Sequence, residues 1–191
     1  MRRGRAQFVA AVAAATVLLG GGTVHAAAPA SAAHVATIKV AQFNCDISDE
    51  FPQIKATLVA RAIRASGADV VGIEEGGGEI PQIARALHWR YYDIRMQIVS
   101  RLPLVDPPNG HGLYTYIEVS PGRIAAMENV HLPSAPYGPV WVKHGKTAAQ
   151  VIAMEKRVRL PAIEPDLAAA RALHAGGIPV FLTGDFNSPS F

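Results

Sequence analysis

Apolar and polar positions alternate along this chain with two different periods, and the change from one to the other marks out its elements. Ile38, Val40 and Phe43 space residues 34–45 as a strand. Phe51, Ile54, Leu58, Val59, Ala62 and Ile63 recur at helical spacing and predict a helix over 51–66, with Pro52 in its first turn and Gly67 as its stop. A short apolar run at 69–73, centred on Val70 and Val71, reads as a buried strand that ends in a glycine turn at 76–78. Residues 81–88 read as a short helix with Ile83 and Leu87 inward, and 91–100 as one strand-like stretch.

Proline and glycine then mark 102–112 as loop. Residues 113–119 and 123–131 predict a hairpin about Ser120-Pro121-Gly122, followed by a second Pro- and Gly-rich loop at 132–145. Residues 146–174 read as helix interrupted near Pro161 and Pro165. A last buried strand at 178–182 leads into a loop at 184–191. Helices alternating with strands predict an α/β layered domain.

The N-terminus follows a different logic. Arg2, Arg3 and Arg5 precede an apolar run from Phe8 to Leu19, and small residues follow Gly20–Gly22. Val24-His25-Ala26 and Ala30-Ser31-Ala32 both fit a cleavage site. This order predicts a secretory signal peptide over residues 1–32, and therefore an extracellular protein. The run is short for a bilayer-spanning helix, so no membrane span is expected in the mature chain. Residues 33–191 are one domain's worth of sequence.

Setting the signal aside changes the charge argument. It holds three of the 18 Lys and Arg and none of the 15 Asp and Glu, so the remainder is balanced at 15 of each. Net charge therefore gives no support for a long nucleic-acid footprint. A local basic segment survives in Lys143, Lys146, Lys156, Arg157 and Arg159. It could attract phosphate, although a solvated helix face is the plainer reading. Cys45, the one cysteine, excludes an internal disulfide and a Cys/His zinc cluster, and reads as a buried free thiol.

Four polar groups stand at predicted strand ends. Asn44 closes Val40-Ala41-Gln42-Phe43-Asn44; alone it would pass for a turn residue. Asp69-Val70-Val71-Gly72-Ile73-Glu74-Glu75 delivers two adjacent carboxylates to a glycine turn. Extended-chain alternation sends only one of them into a cleft and leaves the other to solvent or a cation. Carboxylate oxygens suit Mg²⁺ or Mn²⁺. His131 ends Asn129-Val130-His131 and is, taken alone, more simply a hydrogen-bonded core histidine. Gly184-Asp185-Phe186-Asn187 puts a carboxylate and a carboxamide on one side of the chain with Phe186 on the other.

In this order the motifs resemble the endonuclease/exonuclease/phosphatase family, most closely its deoxyribonuclease I-like branch. Phe43-Asn44, Ile73-Glu74-Glu75, Ser100-Arg101-Leu102-Pro103, His131 to Pro136 and Gly184-Asp185-Phe186-Asn187 carry the resemblance, over about residues 38–189. It implies a layered α-β-β-α sandwich acting, as a monomer, on a phosphoester substrate, with nucleic acid among the candidates.

The resemblance further implies that Glu75, assisted by Asn44, holds Mg²⁺ or Mn²⁺. His131 and Asn187 would hydrogen-bond the phosphate, and Asp185 would orient the attacking water. Nothing up to Phe191 matches the family's closing Ser-Asp-His motif. The expectation is therefore a domain incomplete at its C-terminus, weakly stable and nearly inactive. The alternatives are a catalytically impaired remnant and a secreted binding module of the same fold. The stretch 91–100 is also shorter than the family's usual strand pair, which suggests a missing hairpin.

Overall fold

A computed structural model describes residues 37–47 and 52–188; the signal-peptide assignment to 1–32 and Phe51 lie outside the described residues. The elements in chain order are β1 (Val40–Asn44), α1 (Pro52–Ser66), β2 (Val70–Glu74), α2 (Ile80–Leu87), β3 (Tyr91–Asp93) and β4 (Ile98–Ser100). They continue with β5 (Leu104–Val105), β6 (Thr115–Ser120), β7 (Arg123–His131), α3 (Gly138–Lys143), α4 (Ala148–Ala175) and β8 (Val180–Asp185). The strands form two four-stranded sheets, ordered β1-β2-β4-β3 and β5-β6-β7-β8. In each sheet one pair is parallel: β1 with β2 and β7 with β8.

Three apolar layers account for the sandwich. Outside the first sheet, Val59, Ala60 and Ile63 of α1 and Ile80, Ile83 and Leu87 of α2 pack on Val71, Ile73 and Val99. Between the sheets, Ile38, Val70 and Ile98 meet Ile117 and Met127. Outside the second sheet, Val130 and Leu132 meet Ile163 of α4, with Leu167 and Leu182 beside them. The α-β-β-α order read from the sequence is the order found. No helix among the described residues is long and apolar enough to cross a membrane.

Several elements depart from expectation for identifiable reasons. Residues 91–100 are a hairpin of β3 and β4 rather than one strand, so that hairpin is present in short form. Its turn is closed by the Asp93 carboxylate, which accepts the Met96 N–H at 3.0 Å, and Gln97 turns at φ 52. Helix α4 runs unbroken through Pro161 and Pro165. Both prolines are exposed, so the carbonyls that lose a donor lie on the water side. The loop predicted at 132–145 contains α3, and the one at 102–112 contains β5.

In α1 the buried stripe is Ala56, Val59, Ala60 and Ile63, while Ile54 and Leu58 are exposed. Both stripes have helical spacing, and the smaller side chains are the ones that face the first sheet.

Two glycines are required by close approach. A Cβ at Gly72 would lie 2.0 Å from Asn129 Oδ1, so this gap lets a β7 side chain reach across between the sheets. Gly184 has φ +146, and its Cβ would lie 2.0 Å from the Val130 carbonyl oxygen. Any side chain there would force β8 away from β7.

Candidate functional site

The site lies where the carboxyl ends of both parallel strand pairs meet. Register sets Asn44 beside Glu74 on β1 and β2, and His131 beside Asp185 on β7 and β8. One sheet therefore supplies Asn44 and Glu75, and the other supplies His131 and Asp185. Ligand atoms of Glu75, His131 and Asp185 all lie within 4.8 Å of one another.

The Asn44 side-chain amide holds the two carboxylates at a fixed spacing. Its Nδ2 donates to Glu75 Oε1 at 2.9 Å and to Asp185 Oδ2 at 2.9 Å. Its Oδ1 accepts the Asp46 N–H at 3.2 Å. His131 Nε2 stands 3.6 Å from Glu75 Oε1 and 4.0 Å from Asp185 Oδ2.

Asn187 turns at φ 47, a conformation asparagine tolerates. Its N–H donates to Asp185 Oδ1 at 2.9 Å, and its Nδ2 donates to the Leu132 carbonyl at 3.0 Å. It thus ties the chain after His131 to the chain after Asp185. The five residues predicted for the site are brought together, and in this structure the side chains of Asn44 and Asn187 are already committed to protein partners.

Glu75 reaches the cluster because it leaves the pleat, with φ 55. Such a backbone in a non-glycine residue costs about 1–2 kcal/mol, the kind of strain that gathers at working sites. Cys45 N and Ile47 N donate to the carbonyls of Glu74 and Glu75 at 3.1 and 3.0 Å and hold the turn in place.

Glu74 goes neither to solvent nor to a cation, contrary to the alternation argument. It is buried, because β2 is covered on both faces, and it accepts a hydrogen bond from the Gln42 side-chain amide. Burial raises the pKa of its carboxyl, against the opposing amides of Gln42 and Asn129.

Asp185 is affected in the other direction. Burial pushes its carboxyl up, but the Asn187 N–H, the Asn44 amide and the charge of His131 outweigh it and hold the group below the ordinary carboxylate range. It is therefore ionised wherever the protein is folded near neutrality. Cys45 offers no competing nucleophile: burial pushes its thiol up to about 11.

Sequence reasoning missed the second wall of the cleft. A cavity of about 400 Å³ opens beside Glu75 and His131, and Arg95 and Gln97 also line it. Arg95 is paired with Asp106 at 2.6 Å. The floor includes Asn129, whose Nδ2 donates to Met96 O at 3.3 Å and whose Oδ1 accepts from Thr183 Oγ1 at 2.9 Å. Asn129 stands two residues before His131, so same-face alternation on β7 was the signal that could have found it.

The donor set fits a hard divalent cation. It offers two carboxylates and one imidazole, with no thiolate near enough to favour a softer metal.

Comparison with known proteins agrees with this fold. The model of the endonuclease/exonuclease/phosphatase family matches residues 41–191. The crystal structure of truncated Caenorhabditis elegans TDP2 has a similar fold, with a TM-score of 0.50 and 16% sequence identity. The similarity covers 80% of this chain and 63% of that one. No curated protein matches the sequence.

Proposed function

The chain belongs to the endonuclease/exonuclease/phosphatase family, and from that premise we propose that it is a secreted phosphoester hydrolase dependent on Mg²⁺ or Mn²⁺. The observation that carries this reading is the meeting of Glu75, His131 and Asp185 from opposite sheets. A fold can be built without setting two carboxylates this close at exposed strand ends. A divalent cation explains why they are there.

Glu75 and Asp185 would hold the cation, with Asn44 keeping their oxygens apart. When bound, it supplies positive charge to a phosphoryl oxygen and to the departing oxygen. His131, more than a third exposed at the cleft mouth, is placed to donate a hydrogen bond to a phosphate oxygen or a proton to the leaving group. Asp185 is a weak base because its pKa is depressed, so besides holding the cation it would accept a hydrogen bond from the attacking water and aim it. Asn187 holds Asp185 Oδ1 and the Leu132 carbonyl, which fixes the position from which Asp185 and His131 act. Export rests on the signal-like residues 1–32.

The test is hydrolysis of duplex DNA, a simple phosphodiester and a phosphomonoester by the purified chain, with Mg²⁺, Mn²⁺ or EDTA. Turnover should need the cation and fall by about 10²–10⁴-fold in His131→Ala. EDTA-resistant turnover, or full activity in Asp185→Asn, would overturn the proposal.

A further inference from the structure

We propose that α3, the turn after it and the outward face of the first half of α4 form a docking surface for an anionic lipid bilayer. This rests on the surface alone and is independent of the hydrolase reading.

The first observation is apolar exposure in one place. Tyr137, Val140 and Val142 around α3, and Ile152 and Leu160 on α4, are all exposed, with Val142 at 56%. Scattered apolar side chains on a surface need no explanation, but these fall within one short stretch of helix, turn and helix. They cannot turn inward, because α3 is already seated on α4. A Cβ at Gly138 would lie 2.7 Å from Glu155 Oε1 and 3.2 Å from Val151 Cγ1. From Pro139 to Gln150 every residue except Trp141 is exposed.

The second observation is charge. Residues 136–154 contain no Asp or Glu, but do contain Lys143, His144 and Lys146. Lys156 and Arg157 follow on α4, exposed. None of these four lysines and arginines is in an ion pair among the described residues. The first carboxylate of the segment, Glu155, is buried with Arg159 at 2.5 Å and does not offset them. Arg159, grouped with the basic face on sequence grounds, is thus removed from it.

A bilayer surface offers what this patch lacks: hydrocarbon for Val140, Val142 and Ile152, and anionic headgroups for the lysines at its rim. Lysine stems can lie along the apolar side chains while their ammonium groups reach outward. Single-stranded nucleic acid fits less well: Tyr137 is the one exposed aromatic residue of the patch, and valine, isoleucine and leucine give bases nothing to stack on. Docking would also fix how the cleft is presented. Arg159 Nη2 donates to the carbonyls of Pro136 at 2.9 Å and Ser134 at 3.4 Å, so the patch is joined to the chain leaving His131.

The experiment mixes the full chain with vesicles of phosphatidylcholine, alone or with phosphatidylglycerol, and follows tryptophan emission and co-sedimentation. Residues 1–32 are common to all variants, so differences among variants report the patch. Emission should shift to the blue with phosphatidylglycerol vesicles, and the shift should vanish in Trp141→Phe. Val140→Asp/Val142→Asp should abolish the patch-dependent binding. Lys143→Gln/Lys146→Gln should weaken it about 30-fold, from the usual contribution of each cation near an anionic surface. These side chains are exposed, and unchanged circular dichroism would show that the variants fold. Equal binding by all variants, or no preference for phosphatidylglycerol, would overturn the proposal. So would a DNA oligonucleotide bound through the lysines with no effect of the valine changes.

Discussion

The two outer layers of the sandwich are held by different forces. Under α1 and α2 the packing is apolar throughout, with Val71, Ile73, Ile80, Ile83 and Val99 almost wholly buried. Under α4 the buried apolar cluster is smaller, Val130, Leu132 and Ile163, and every residue of β8 is partly exposed. That second layer instead contains buried ionisable groups. Arg159 is paired with Glu155 and bridges to the loop after His131, and Glu128 of β7 is buried with neither carboxylate oxygen partnered among the described residues. The site spans both layers. Its Glu75 half rests on a base governed by hydrophobic burial, and its His131 and Asp185 half on one governed by protonation and ion pairing.

The largest expected effect tests the polar layer. Arg159→Met should destabilise the protein by about 3–5 kcal/mol, because it strands the buried Glu155 carboxylate. The double change Glu155→Leu/Arg159→Met should recover most of that loss in chemical denaturation. An unrecovered double variant would mean that the tie to Ser134 and Pro136, rather than the charge, holds the layer.

The apolar layer should answer differently. Ile83→Ala should cost about 2–5 kcal/mol through cavity formation, and the cost should not change with salt or pH. Leu182→Ala, in a partly exposed strand, should cost clearly less. Equal costs would erase the contrast between the layers.

A smaller effect separates them by pH. Burial, followed by the Asp166 carboxylate on α4, raises Glu128 from 4.5 to about 8. Asp166 is itself raised by burial, against its own backbone hydrogen bond, and across from Glu128 the Tyr114 hydroxyl is also raised, by burial first. The folded protein therefore keeps the Glu128 proton in a range where the unfolded chain has lost it. Its contribution to stability is complete below the unfolded value near 4.5 and is lost as pH rises through about 8. Glu128→Gln should reduce the fall in denaturation midpoint between pH 5 and pH 9, with a change in stability of about 1–3 kcal/mol at the alkaline end. An identical pH slope in the variant would remove Glu128 from the account.

This difference between layers also explains how much the sequence could show. Strand-end placement brought Asn44, the Glu74-Glu75 pair, His131, Asp185 and Asn187 to notice, and the resemblance to the family, rather than periodicity, chose Glu75 over Glu74 and gave Asn44 and His131 a part in the site. The strands of the first sheet read clearly for the same reason, except where Asp93 folds 91–100 back on itself through a side-chain hydrogen bond. The α4 layer was harder to read. Pro161 and Pro165 suggested breaks, but whether a helix survives a proline depends on which side faces water, and tertiary packing decides that. The buried states of Arg159 and Glu128 were equally hidden, since composition places charged residues outside. In α1 two apolar stripes had the same spacing, and only the sheet selected between them.

The central claim is that one site is built across the two sheets, with a carboxylate from each. Its most direct test is the thermal shift on adding Mg²⁺ or Mn²⁺, measured together with phosphodiester hydrolysis, for the wild-type chain, Glu75→Gln and Asp185→Asn. The account predicts a cation-dependent rise in the melting temperature that is lost in each variant, with hydrolysis reduced at least about 10²-fold in both. If either variant kept both the cation response and the wild-type rate, the two carboxylates would not share a site and the account would be wrong.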